Sequence, residues 1–186
     1  MNSSTVCSLC LTLCLILIFH SPLPTKARSD VHHKLLGVGP DLIDQVCNET
    51  IEDNILCMKI LKGDPEIVLA KNFVELAEAI LKLGLKKGIE GQNFLKGLVE
   101  GKHDPGIEEC ATSDYDGVIN SFRSALGEMK NDLLAANYSA RIAGDGADNC
   151  NTTLVAERIQ NPAISDLNHQ VSMLSFIAFC ALDKIH

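Results

Sequence analysis

The stretch 107–135, IEECATSDYDGVINSFRSALGEMKNDLLA, decides the fold class. Tyr115, Val118, Ile119, Phe122, Leu126, Met129 and Leu133 recur across it at spacings of three and four. That is the pattern of a helix with one buried stripe, and it predicts a continuous helix over about 107–135. The same period returns over 162–184, where Ile164, Leu167, Val171, Leu174, Ala178 and Leu182 share a face. Between the two, 137–155 is helical more weakly, with Gly144 and Gly146 inside it, and Asp145 to Asn149 is read as a helix break. Upstream, Asp64-Pro65-Glu66 combines a capping residue, a proline at the first helical position and an acidic first turn. Ile67, Ala70, Val74, Ala77, Leu81, Leu85 and Ile89 follow at helical spacing. The pattern then weakens through Phe94, Leu95, Leu98 and Val99 until His103-Asp104-Pro105-Gly106 stops it. Gly84, Gly88, Gly91 and Gly97 each cost about 1 kcal/mol in a helix interior relative to alanine. A bend or fraying is therefore expected in the second half of this helix.

Before it, PDLIDQVCNETIEDNILCMKILKG (40–63) makes two short helices, with Asp41 capping the first, 48–53 forming the turn and Gly63 ending the second. No segment alternates with period two over a sustained length, which argues against a sheet. Four long amphipathic segments with short connections predict an all-α, up-and-down four-helix bundle carrying an N-terminal helical hairpin.

At the start of the chain, Cys10 to Phe19 is the apolar run CLTLCLILIF. It suits the core of a secretion signal and is too short to span a bilayer. Thr25 and Ala27 place cleavage near residue 27, so residues 1–27 are expected to be a signal peptide and the mature chain to begin at Arg28. Of the charged side chains only Lys26 leaves with the leader, making the mature chain one unit more acidic than the full-length charge of −8. An acidic surface argues against nucleic acid and anionic membranes as partners and suits a basic protein. The chain has no tryptophan, which weakens any stacking platform for sugars.

Of eight cysteines, Cys7, Cys10 and Cys14 fall in the leader. Cys47, Cys57, Cys110, Cys150 and Cys180 remain, and secretion implies that they meet oxidising conditions. Cys47 and Cys57 lie one in each arm of the hairpin. Cys110 and Cys150 fall at the same end of antiparallel neighbouring helices, where a bond is geometrically reasonable. Chain-entropy reasoning gives about 3 kcal/mol for a ten-residue loop and about 4 kcal/mol for a forty-residue one. Cys180, on the apolar final helix, is left over and read as a buried free thiol packing as a small hydrophobe, with a bond between two chains as the alternative.

The order of elements resembles the plant invertase and pectin methylesterase inhibitors. The features that carry the likeness are a leader, the hairpin CNETIEDNILC (47–57), a long helix opening DPEIVLA (64–70), and CATSDYDGVINSF (110–122) with a tyrosine soon after the cysteine. A further cysteine follows forty residues later, and an apolar helix closes the chain. The resemblance spans 35–182. It implies the bonds Cys47–Cys57 and Cys110–Cys150, and a protein of the cell wall or vacuole that inhibits an enzyme by forming a one-to-one complex. Invertase inhibitors of this family tend to carry a Pro-Lys-Phe loop shortly before the third cysteine. Here the stretch is Pro105-Gly106-Ile107, without the lysine or the aromatic, which favours pectin methylesterase as the target.

Other chemistries fare worse. No serine or histidine sits in a nucleophile turn, so no catalytic residue is assigned and an enzyme is not expected. His32-His33 has no partner at helical spacing, and Asp145-Gly146-Ala147-Asp148-Asn149 lacks the ligand register and closing glutamate of a calcium loop. Gly37-Val38-Gly39 is too short for a phosphate cradle. No metal or cofactor is therefore assigned. Asn48-Glu-Thr, Asn137-Tyr-Ser and Asn151-Thr-Thr are candidate N-glycosylation acceptors. The expectation is a secreted monomeric inhibitor of pectin methylesterase, with an invertase inhibitor or a non-inhibitory helical binding protein as the alternatives.

Overall fold

Among the described residues, asparagine and aspartate begin six of the helices, each side chain accepting from the first backbone N–H groups that lack helical partners. The computed structural model describes residues 41–101 and 103–185. The leader with its three cysteines, His32-His33 and Gly37-Val38-Gly39 lie outside the described residues. Asp41 caps α1 (Leu42–Cys47), a tight 3₁₀ turn covers Asn48–Asp53, and α2 (Asn54–Lys62) returns to Gly63. Asp64 caps α3 (Pro65–Val68) and Asn72 caps α4 (Phe73–Val99). Asp104 caps α5 (Pro105–Glu109), which runs through a wide π turn at Cys110–Asp114 into α6 (Tyr115–Glu128). Asp132 caps α7 (Leu133–Ile142), α8 is Asp145–Ala156, and Asn161 caps α9 (Pro162–Asp183).

The described residues are helical, without strands, and form the up-and-down bundle. Helices α4, α6, α7 with α8, and α9 enclose one core, with α4 and α7 each packed on both α6 and α9. Leu76, Ile80, Phe122, Ile164, Leu174 and Ile177 are among its fully buried side chains. Each such burial contributes about 1.5–3 kcal/mol. The α1–α2 hairpin lies against α9, and its first helix also touches α4.

Four expectations change. The helix opened by Asp64 ends after one turn, because Asn72 is extended and starts a new helix, its amide and the Lys71 N–H both binding Glu75. The stretch 107–135 is also interrupted. The Glu128 carbonyl accepts the Asn131 and Asp132 N–H groups, Asp132 turns extended, and Leu133 belongs to the next helix. The break in the third bundle segment falls at Ala143–Gly144, and Asp145 to Asn149 form the opening turns of α8.

The fourth change concerns the glycines of α4. The helix neither bends out of its hydrogen-bonding pattern nor frays before Val99, because Gly84, Gly88 and Gly91 are buried on its inner face. A Cβ on Gly84 would come within 2.6 Å of Phe122 Cζ, and one on Gly91 within 2.6 Å of Tyr115 Cε1. The buried stripe is thus Leu76, Ala77, Ile80, Leu81, Gly84, Gly88, Gly91 and Leu95, while Val74 and Ile89 face outward. Gly97 meets nothing within 4 Å.

Replacing these glycines therefore has opposite signs. Gly84→Ala should destabilise by about 1–3 kcal/mol through overpacking against a ring that has nowhere to move. Gly97→Ala should stabilise by up to about 1 kcal/mol through helix propensity. Urea midpoints of the two variants check this, and equal shifts would contradict the close approach of α4 to α6.

Candidate functional site: a disulfide-pinned helical surface

Two disulfides and one buried polar chain fix the surface that the bundle presents. The Cys47–Cys57 bond, with its Cα atoms 5.6 Å apart, closes the hairpin. Inside that loop the Cys47 carbonyl accepts from Thr50 Oγ1 at 2.7 Å and from Asn54 Nδ2 at 2.9 Å. The turn forces Ile51 to φ 41°, a region that costs a β-branched residue about 1–3 kcal/mol, while its side chain stays in solvent. Glu49, Ile51 and Asp53 then face His169, Met173 and Phe176 of α9 across an open groove. Lys184 Nζ meets Glu49 at 3.0 Å, and His169 Nε2 lies 3.4 Å from Asp53.

The second bond, Cys110–Cys150, joins the π turn to α8 with Cα atoms 4.9 Å apart. Gly146 permits this approach, since a Cβ there would run into the Asp114 carbonyl. The Asp114 carboxylate is buried beside the disulfide, and its Oδ2 has no hydrogen-bond partner. Asp114, Cys110 and Cys150 are close enough to suit a metal, but both sulfurs are committed to each other. Desolvation first, and the Glu109 charge second, push the Asp114 carboxyl above its usual range.

At the next residue, the Tyr115 hydroxyl donates to Asn168 Oδ1 at 2.7 Å, and Asn168 Nδ2 donates to Asn151 Oδ1 at 2.8 Å. Tyr115 and Asn168 are fully buried, so this chain ties α6, α9 and α8 in one register. Burial also raises the phenol well above the ordinary tyrosine range. Nearer the other end of α9, Ser175 Oγ accepts from the Gly144 N–H and donates to the Ala140 carbonyl, holding the junction between α7 and α8.

Cys180 is buried, and desolvation pushes its thiol up to about 11. Asn48 is exposed on the hairpin turn, Asn137 is half-buried in α7, and Asn151 is half-buried in α8. The exposed apolar residues are scattered, with Leu134 and Tyr138 on α7 and Val155 on α8 among them. Arg141 lies 5.7 Å and 5.9 Å over the rings of Phe176 and Phe179. No helix among the described residues is long and apolar enough to cross a membrane.

The sequence reading missed Asp114, Asn168 and Ser175. For the last two a signal was present: both are polar residues at the spacing of the apolar stripe of α9, where a buried hydrogen bond is required. Nothing in the sequence marks Asp114, since its burial comes from α8 closing over the π turn.

The raised Asp114 carboxyl makes stability fall as pH rises. The folded state holds this proton more tightly than the unfolded chain, so the contribution is complete below pH 3.8 and lost as pH climbs through the folded value. Asp114→Asn should therefore raise the melting temperature more at pH 7 than at pH 4. An equal shift at both values would mean that the carboxyl is not the cause. Cys180 should resist alkylation at pH 8 in the folded protein and react only after denaturation, read by mass spectrometry.

Comparison with known proteins matches this arrangement. Residues 41–180 match the family model described as plant invertase/pectin methylesterase inhibitor. The chain is similar to the crystal structure of mutant form A of a pectin methylesterase inhibitor from Arabidopsis. The TM-score is 0.70 at 19% identity, covering 79% of this chain and 99% of that one. It is also similar to a crystal structure of a pectin methylesterase inhibitor from Arabidopsis thaliana, with a TM-score of 0.59 at 19% identity over 80% of this chain and 99% of that one. No curated protein sequence matches it significantly. The chain belongs to the plant invertase/pectin methylesterase inhibitor family.

Proposed function

We propose that this protein is a secreted inhibitor of pectin methylesterase that acts by one-to-one occlusion of the enzyme's substrate cleft. The observation that carries the reading is the family match across 41–180, which takes in both disulfides and all four bundle segments. Occlusion asks for a rigid surface and no chemistry on the inhibitor. Two crosslinks and a buried hydrogen-bonded register supply rigidity, lowering the ordering cost of association.

The choice of pectin methylesterase over invertase rests on the segment before Cys110. Pro105, Gly106 and Ile107 form the first turn of α5, capped by Asp104 through the Gly106 and Ile107 N–H groups. Gly106 is buried, with a Cβ there only 3.1 Å from Ile159 Cδ1 and 3.2 Å from Glu157 Cγ. The segment is packed against the chain just beyond α8 and offers no projecting loop for a lysine and an aromatic residue.

Purified oxidised protein, titrated against pectin methylesterase and acid invertase at mildly acidic pH, should inhibit the first at equimolar ratio and leave the second unchanged. Inhibition of invertase alone would reverse the assignment, and inhibition of neither by folded protein would remove the inhibitory reading. With a full-length net charge of −8, made one unit more acidic by loss of the leader, association with a basic pectin methylesterase should slow as salt rises. A rate indifferent to salt would exclude electrostatic steering.

A further inference from the structure

The three sequons are not equivalent in the folded chain, and the difference lies in the side-chain nitrogen. Attachment of an N-glycan forms a bond between sugar C1 and the asparagine Nδ2. The C1–O bond to a lipid-linked pyrophosphate donor breaks, the amide gives up one proton, and the lipid pyrophosphate leaves. The Oδ1 atom keeps its role as an acceptor. A sequon is therefore compatible with the native fold when Nδ2 faces solvent, whatever Oδ1 does.

Asn48 meets this condition: it is exposed, and its one side-chain bond is Oδ1 accepting from Asn54 Nδ2 at 3.4 Å. Asn151 meets it too, although it belongs to the buried chain. Only its Oδ1 is used, by Asn168, and its Nδ2 is neither bonded nor enclosed among the described residues. Asn137 is the reverse. Its Nδ2 donates to the Phe179 carbonyl at 3.3 Å, pinning α7 to α9, and the hydroxyl of its sequon, Ser139 Oγ, is buried in a 2.7 Å bond to Glu128. A sugar on Asn137 would sit where α9 packs.

We infer that Asn48 and Asn151 are the glycan-bearing residues of the folded protein, and that Asn137 is bare. Sugar transfer precedes folding, so the discrimination operates afterwards: chains modified at Asn137 cannot form the α7–α9 contact and are held back. The inference rests on the proposed secretory route. It places one glycan beside each disulfide, at Cys47 and at Cys150.

The test is secretion of the full chain from plant cells, followed by enzymatic glycan release in heavy-oxygen water and peptide mass spectrometry. Labelled aspartate is expected at positions 48 and 151, with unlabelled asparagine at 137. Asn48→Gln and Thr153→Ala should each remove one glycan from the intact mass, and Ser139→Ala none. Label at 137, or secreted protein without label at 48 and 151, overturns the assignment while leaving the secretory route intact. Protein retained in cells without any label overturns the secretory reading, and the inference with it.

Discussion

The inner face of α4 has almost no side chains over two turns, and the rest of the bundle is arranged around that gap. Gly84, Gly88 and Gly91 let the helix backbone approach Phe122, Val118 with Ile119, and Tyr115 in turn. Large residues on α6 thus fill space that α4 leaves empty, the alternation of large and small by which a core reaches crystal-like density. The approach also sets where Tyr115 sits, and Tyr115 in turn orients Asn168 and Asn151. A methyl group at the glycines would move α6, and with it the register of three helices.

Much of the fold was legible because it is written in apolar period and in caps. The stripes of α6 and α9 and the capping residues Asp41 and Asp64 lie where the spacing puts them. The first bundle helix was misread for a physical reason. Its buried stripe is partly glycine, which a search for apolar side chains reads as a weakness, so Val74 and Ile89 were assigned inward although they face out. The interruptions at Asn72 and Asp132 were missed because a side-chain cap inside an otherwise periodic stretch starts a new helix without disturbing the period on either side.

The candidate site was less legible than the fold. The exposed apolar residues of the described surface are spread over several helices, as with Val74 on α4, Leu134 on α7 and Val155 on α8. Sequence spacing finds groups that must converge on one atom, and the polar groups that meet among the described residues, such as the buried chain from Tyr115 to Asn151, hold helices in register. The segment Pro105-Gly106-Ile107 is informative in a different way. Its composition hinted at a missing loop, and its packing beside Ile159 and Glu157 supplies the reason.

The seclusion of Cys180 bears on how lasting the two crosslinks are. Disulfides reshuffle when a thiolate reaches one of their sulfurs, and Cys180 is the free thiol among the described residues. Burial keeps it protonated and keeps it from meeting a partner in the native state. Among the described residues the folded chain thus offers no accessible thiol for exchanging these bonds. Once Cys47 has met Cys57 and Cys110 has met Cys150, the pairing persists as long as the core around Cys180 stays closed.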